Sequence, residues 1–137
     1  MKAAVLRRIG APMEIETVSI AKPQGREVLL RMQAAGVCHS DLHVIDGGLP
    51  HPLPAIVGHE AAGIVEQVGP DVRLVRPGDR VIACLAFHCG HCEQCQTGNT
   101  HRCYPAQADR AADEPPRLYS GESRFTPFMS MGAFAEQ

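Results

Sequence analysis

Apolar and polar residues alternate over the first third of the chain, and this alternation predicts strands. Residues 13–20 place Met13, Ile15, Val18 and Ile20 against charged and polar neighbours, which is typical of a strand with one buried face. Apolar or alternating runs bounded by turn residues predict further strands over residues 2–8, 27–35, 61–68 and 81–85, and the start of another over 132–137. We therefore expect a mainly β fold.

Three segments depart from the strand pattern. A short helix is expected from residue 39 to about residue 45, with Ser40 or the residue before it as N-cap, and with Asp46-Gly47-Gly48 ending it. The proline-punctuated stretch 49–54 predicts a rigid loop. Residues 104–131 are polar, proline-rich and aperiodic, so they predict an extended surface excursion.

Length and charge narrow the class of protein. A chain of 137 residues is long enough for one domain with a real core. The net charge of −2, without a block of like charges, argues against a nucleic-acid partner. No apolar stretch approaches the roughly 20 residues of a membrane span. We expect a cytoplasmic protein whose partner is a small molecule or another protein.

Four of the six cysteines form a compact motif, C-x2-C-x2-C-x7-C, made of Cys89, Cys92, Cys95 and Cys103. In a secreted domain six cysteines could form three disulfides, but clustered cysteines in a reducing compartment are more often metal ligands. Four soft thiolates on one loop suit a closed, tetrahedral structural zinc site, whereas iron–sulfur clusters use other spacings. The sequence therefore predicts a zinc-binding lobe over about residues 85–108.

A second concentration of metal-binding side chains lies upstream. Catalytic zinc takes three protein ligands and keeps a fourth position open, and Cys38 and His59 are the first two candidates. Asp41 is the candidate acceptor for the second ring N–H of His59. Glu60 could approach the metal during ligand exchange, or make a surface salt bridge. A buried cysteine and a satisfied core histidine are the structural alternatives.

These motifs carry a resemblance to a known family. Gly58-His59-Glu60 with Gly63, Gly69 and Val72, and Cys38-His39-Ser40-Asp41-Leu42-His43, resemble the zinc signature and first-ligand motif of zinc-dependent alcohol dehydrogenases of the medium-chain dehydrogenase/reductase superfamily. The resemblance covers nearly the whole chain. It implies that residues 1–137 form a GroES-like, partly open β-barrel with short helices, whose cysteine lobe holds a structural zinc.

The resemblance also implies roles for single residues. Ser40 and His43 would relay the proton released from the substrate, although a helix cap and a surface group are their structural alternatives. His39 stands where a common family version has an arginine that holds the cofactor's pyrophosphate. Leu49 and Leu85 fall where the family lines its substrate pocket. The complete enzyme would oxidise an alcohol or reduce an aldehyde with NAD(P), and would form a homo-oligomer.

Parts of that machinery are missing from the sequence. In the family the third zinc ligand is a downstream cysteine, and none follows Cys103. No G-x-G-x-x-G motif follows a strand, so the Rossmann domain is absent from this chain. We expect the front portion of a dehydrogenase (a truncated product, a remnant or a chain completed by another polypeptide) that keeps its structural zinc but is inactive alone.

Other functions fit parts of the same pattern. A non-catalytic zinc-binding interaction module derived from the same fold is the alternative. A quinone-reductase relative would lack the zinc ligands, whereas a polyol or formaldehyde dehydrogenase stays open.

The remaining thiol and histidines have no role in these functions. We expect Cys84 to be a buried spare thiol, and four histidines to be solvated loop residues: His51, His88, His91 and His101.

Overall fold

The computed structural model describes residues 1–103, 110, 111 and 113–137. In this part of the chain nine strands are defined: β1 Lys2–Leu6, β2 Glu14–Thr17, β3 Ser19–Ile20, β4 Val28–Gly36, β5 Ala55–Ile56, β6 Glu60–Val68, β7 Arg80–Ile82, β8 Leu118–Ser120 and β9 Ser123–Pro127. The helices are α1 His39–Asp46 and α2 Glu93–Gln96, with 3-10 turns at Thr100–Arg102 and Phe128–Ser130. None of the described helices is long and apolar enough to cross a membrane. The expected mainly β fold is confirmed.

The strands form two sheets. One has the order β2-β1-β5-β9-β8-β3 and the other the order β4-β6-β7, and only β5 and β9 pair in parallel. The long antiparallel pair of β4 and β6 runs from Val28 opposite Val68 to Gly36 opposite Glu60. This pairing places Gly36, two residues before Cys38, opposite Glu60, the residue after His59. The two ligand motifs are therefore neighbours.

Two apolar clusters form the core. The first joins β1, β5, β8 and β9, and its buried members are Ala3, Val5, Val18, Ile56, Leu118 and Phe125. The second holds α1 against the end of β1 and the loop before β6, through Leu6, Val44, Val57 and Phe128. Full burial of such a side chain contributes about 1.5–3 kcal/mol. The second cluster therefore fixes α1 relative to His59.

Both sheets contribute to a cavity of about 800 Å³, whose lining includes Leu29, Val65 and Leu118. Neither Cys38 nor His59 lines this cavity. It is the space between the sheets and not the site described below.

The cysteine loop is joined to the barrel by a bond to its backbone. Arg26, just before β4, donates from Nη1 to the carbonyl oxygen of Cys89 at 2.7 Å. Its neighbour Glu27 accepts from Arg110 at 2.8 and 2.6 Å and pairs with Arg117 at 3.1 Å. Two adjacent residues thus hold the lobe and the segment that follows it.

Several predicted elements need correction. The strand expected over residues 13–20 is split into β2 and β3 at Val18, whose N–H bonds to the Met1 carbonyl. The strand expected over 81–85 ends at Ile82. The start of a strand expected over 132–137 is limited to an isolated antiparallel bridge between Ala135 and Ala3, because Gly132 has a φ of 65°.

The surface excursion expected over residues 104–131 is also wrong for its second half. Residues 118–127 form the β8–β9 hairpin, which turns at Gly121 with a φ of 57°. Leu118 and Phe125 are buried in the first core cluster, so this polar segment is held by two apolar side chains. Residues 104–109 and 112 lie outside the described residues.

Candidate metal centres

The first centre begins at the N-terminus of α1. Cys38 is the N-cap, with extended backbone angles (φ −97°, ψ 155°). Its N–H donates to Asp41 Oδ2 at 3.0 Å, so the third helical residue caps the residue that precedes the helix. The expected cap at Ser40 or its predecessor is therefore wrong. The helix ends as expected, at Gly47 with a φ of 87°.

Asp41 joins the two ligand motifs. Its side chain is fully buried, and Oδ1 accepts the Gly58 N–H at 2.9 Å and lies 3.1 Å from His59 Nδ1. A carboxylate accepts hydrogen bonds, so in the neutral ring this contact favours the tautomer with the proton on Nδ1 and leaves Nε2 as the ligand atom. The expected pairing of Asp41 with His59 agrees with this geometry, which orients the ring for a metal.

Three donors of different chemistry meet beside Asp41. The Cys38 thiol, a ring nitrogen of His59 and a carboxylate oxygen of Glu60 lie within 4.8 Å of one another. Thiolate, imidazole and carboxylate are all zinc ligands, so the set fits a zinc ion with one position left open. The sequence predicts two ligands, Cys38 and His59, and expects Glu60 to approach the metal only during ligand exchange. The structure brings its carboxylate into the same set.

The pKa values of the first two donors shift in opposite directions. The backbone N–H and the hydroxyl of Ser40, 3.6 Å from the sulfur, and then His59, lower the pKa of the Cys38 thiol. Burial opposes a charge on His59, but hydrogen bonds to Asp41 and Cys38 outweigh it and raise the pKa of its ring. The thiol is thereby biased towards thiolate, the form that binds metal.

An aromatic side chain that sequence reasoning missed covers the His59 ring. Phe128 is buried, and its ring meets His59 edge-on at 5.4 Å between centroids and His51 at 5.3 Å. The expectation that His51 is a solvated loop residue is therefore wrong, since its Nε2 atom is buried. In the sequence Phe128 is marked only by being an aromatic residue three positions after Phe125, which does not indicate contact with a histidine.

Ser40 and His43 occupy different environments. Ser40 is half-buried beside Cys38, whereas His43 is exposed and its ring meets that of His39 at a tilt of 60°, with 4.4 Å between ring centroids. Leu49, 38% exposed, donates its N–H to the His43 carbonyl at 2.8 Å. Leu85 is 51% exposed, beyond the end of β7. The relay, cofactor and pocket roles of these residues stay predictions.

Cys84 also differs from expectation. It is exposed, so the expectation of a buried thiol is wrong: Cys84 lies in the irregular stretch after β7, where residues 84–88 are all exposed. His88, His91 and His101 are exposed as expected.

The second centre is the cysteine loop. The sulfur atoms of Cys89, Cys92, Cys95 and Cys103 all lie within 4.8 Å of one another. Three of the separations are 3.5, 3.9 and 3.9 Å, against about 2.05 Å in a disulfide. Four sulfurs at about 2.3 Å from a tetrahedral zinc would be roughly 3.8 Å apart. The loop therefore fits a zinc ion and not a pair of disulfides.

Backbone N–H groups point at these sulfurs. The N–H of Cys92 lies 3.2 Å and that of His91 3.4 Å from Cys89 Sγ, and the N–H of Cys89 lies 3.2 Å from Cys103 Sγ. Gly90, with a φ of 83°, makes the turn that aims two of them. Such bonds stabilise thiolates before any ion binds.

Crowding separates the pKa values of the thiols. The His91 N–H, chiefly, lowers the pKa of Cys89 to about 6. The Cys89 N–H favours the thiolate of Cys103, but burial and the neighbouring thiols outweigh it and raise its pKa to about 12. The first proton thus leaves easily and the last is held by repulsion between like charges, which a dication would relieve.

Comparison with known proteins supports this reading of the fold. Residues 24–137 match the family described as "Alcohol dehydrogenase GroES-like domain". The NDMA-dependent alcohol dehydrogenase of Amycolatopsis methanolica is 40% identical over 139 aligned residues, which cover 99% of this chain and 38% of that protein. The geraniol dehydrogenase of Castellaniella defragrans is 50% identical over 103 residues, covering 74% of this chain and 27% of that protein.

A solved structure agrees with the sequence matches. The alcohol dehydrogenase zinc-binding domain protein from Burkholderia ambifaria superposes with a TM-score of 0.84 at 39% identity, over 98% of this chain and 38% of that one. The chain thus spans well under half the length of the relatives it matches. The GroES-like architecture expected from the resemblance is confirmed, and the chain belongs to the alcohol dehydrogenase GroES-like domain family.

Proposed function

We propose that this chain supplies the metal-binding half of the active centre of a zinc-dependent alcohol dehydrogenase. The observation that carries the proposal is the convergence of Cys38, His59 and Glu60 donors within 4.8 Å, braced by buried Asp41. An interaction module has no need of a thiolate, an imidazole and a carboxylate around one point. The separate four-cysteine loop would hold a structural zinc.

Each residue has a defined task in this proposal. Cys38, His59 and Glu60 would hold the catalytic zinc, which supplies Lewis acidity that lowers the pKa of an alcohol hydroxyl. Asp41 fixes the tautomer and orientation of His59. Phe128, packed edge-on against the same ring, excludes water from one side of it.

The remaining predicted residues handle the proton and the organic ligands. Ser40 lies next to the Cys38 sulfur and would accept the substrate proton first, and exposed His43, one turn away, would pass it to solvent. His39 would contact the pyrophosphate of NAD(P), and Leu49 and Leu85 would line the pocket for an alcohol or aldehyde. In this proposal the complete enzyme is cytoplasmic, because a reducing compartment keeps its thiols able to bind metal. It is also a homo-oligomer, as the resemblance implies.

Metal analysis tests the proposal. We expect wild-type protein to bind two zinc ions, with the lobe ion held more tightly because it has four thiolates. Cys38→Ser should abolish the weaker site and leave the lobe occupied, whereas Cys84→Ser, an exposed thiol outside both sets, should change neither. Wild-type protein that binds zinc at the lobe alone would contradict the catalytic assignment and favour the interaction module.

The cofactor part needs the complete enzyme. Arginine presents two parallel N–H donors to a phosphate, whereas an imidazole cannot make this paired contact. His39→Arg should therefore tighten dinucleotide binding. A dissociation constant for NAD that His39→Arg leaves unchanged would remove His39 from the cofactor site.

A further inference from the structure

We infer that Gly36 is a positioning residue for the Glu60 carboxylate, and this inference rests on the proposed metal centre. Gly36 is the last residue of β4 and pairs with Glu60, the first residue of β6. A methyl group at position 36 would overlap Glu60 Oε2 and would lie only 3.0 Å from Glu60 Cβ and Cδ. The carboxylate thus occupies the space that any other residue's side chain would fill.

The backbone at position 36 does not itself require glycine. Gly36 is not among the residues with a positive φ, whereas Gly58, before His59, has a φ of 92°. An L-amino acid can therefore adopt the backbone conformation of Gly36 without strain. The reason for glycine here is room for the neighbouring side chain.

Glu60 can move out of the way, but only by leaving the donor set. Its side chain is exposed, and a carboxylate on a flexible arm can rotate into solvent at low cost. Gly63 offers the opposite case, because a methyl group there would lie 2.7 Å from the Arg31 carbonyl oxygen, which belongs to the paired strand. At position 36 the 3.0 Å contact with Glu60 Cβ asks for a further shift of only a few tenths of an ångström. Gly36→Ala should accordingly preserve the fold and expel the carboxylate.

Expulsion would change the chemistry of the site. Of the three donors, Glu60 alone offers a hard, anionic oxygen. Without it the site keeps one thiolate and one imidazole. Loss of groups that merely orient a ligand weakens metal binding about 10- to 100-fold, so loss of a direct donor should cost at least this much. Cys38 and His59 would keep their positions, since Asp41 holds both.

The test is a cobalt titration of the full chain carrying one equivalent of Zn²⁺. Cobalt absorption at the second equivalent reports the Cys38 site, as its loss in Cys38→Ser verifies. We expect Gly36→Ala to raise the second dissociation constant about 10- to 100-fold. The cobalt spectrum of the four-cysteine site, measured without zinc, and the thermal unfolding midpoint should stay unchanged. Ala34→Val, which enlarges an exposed residue of the same strand, should behave as wild type.

A double-mutant cycle separates positioning from a general structural effect. In a Glu60→Gly background, Gly36→Ala should cause no further loss, because the carboxylate and the Cβ atom that the new methyl group would meet are both gone. A second dissociation constant unchanged by Gly36→Ala, or a full additional loss in the Glu60→Gly background, would overturn the inference while the metal centre stands. Failure of wild type to bind the second ion would instead remove the proposed centre, and the inference with it.

Discussion

Replacing Asp41 should be the most damaging single change in the first centre. Its carboxylate is fully buried and serves three donors: the N–H groups of Cys38 and Gly58 and the ring N–H of His59. Asp41→Ala leaves all three without an acceptor. Asp41→Asn can keep the two bonds to Oδ1, but its amide N–H₂ then faces the Cys38 N–H.

The magnitudes follow from the number of bonds lost. A hydrogen bond to a charged group contributes about 1.5–3 kcal/mol, and a buried donor left unsatisfied costs about 1–3 kcal/mol. Asp41→Asn should therefore lower the free energy of unfolding by about 2 kcal/mol. Asp41→Ala should lower it by about 4 kcal/mol, as for other broken buried pairs, which is a large share of a typical total of about 5–15 kcal/mol.

Urea unfolding followed by circular dichroism at pH 7 measures these differences in zinc-loaded protein. Asp46→Asn is the matched control, because Asp46 lies at the other end of α1, is exposed and accepts the Gly48 N–H at 3.0 Å. That variant should stay within about 0.5 kcal/mol of wild type. Equal stabilities of the Asp41→Asn and Asp46→Asn proteins would refute the bracing role of Asp41.

Three further predictions concern other parts of the molecule. Burial opposes the charge of Glu27, but Arg110 and its other partners outweigh burial and lower the pKa of that carboxyl. Glu27→Gln should lower the free energy of unfolding by about 2 kcal/mol near pH 7. In urea unfolding this difference from wild type should shrink as the pH falls below about 4.5 and through the lowered pKa. A difference that persists at low pH would contradict this. Cys92→Ser should weaken thiolate-to-cobalt absorption at the lobe, because three thiolates would remain in place of four, and full retention of that band would exclude Cys92 as a ligand. Gly58→Ala should lower the free energy of unfolding by at least about 1 kcal/mol, because Gly58 has a φ of 92° and a methyl group there would lie 2.6 Å from the Phe134 ring; an unchanged urea midpoint would refute it.

The parts of the two centres that could be predicted are those set by local spacing in the sequence. Four cysteines within fifteen positions are necessarily close in space, and the structure places their sulfur atoms together. Asp41, three residues after Cys38, reaches back to its N–H by helix geometry alone. Chemistry that is encoded within one turn or one loop can be deduced without knowing the fold.

Contacts across the sheets could not be deduced in the same way. Strand β8 of the hairpin pairs with β3, about a hundred positions earlier in the sequence. The exposed residues of the hairpin are so polar that the sequence pattern does not predict a strand there. Glu60 begins β6 opposite Gly36 of β4, and no local pattern specifies this pairing across the sheet. Phe128 reaches His59 and His51 only through the same tertiary packing.

The hydrogen bond from Arg26 to Cys89 ends on a main-chain oxygen. Every amino acid offers that oxygen, so the bond constrains the path of the loop and not the identity of its residues. Around its cysteines the loop is therefore free to diverge in evolution without losing this bond, whereas exchange of Arg26 for a shorter residue would remove it.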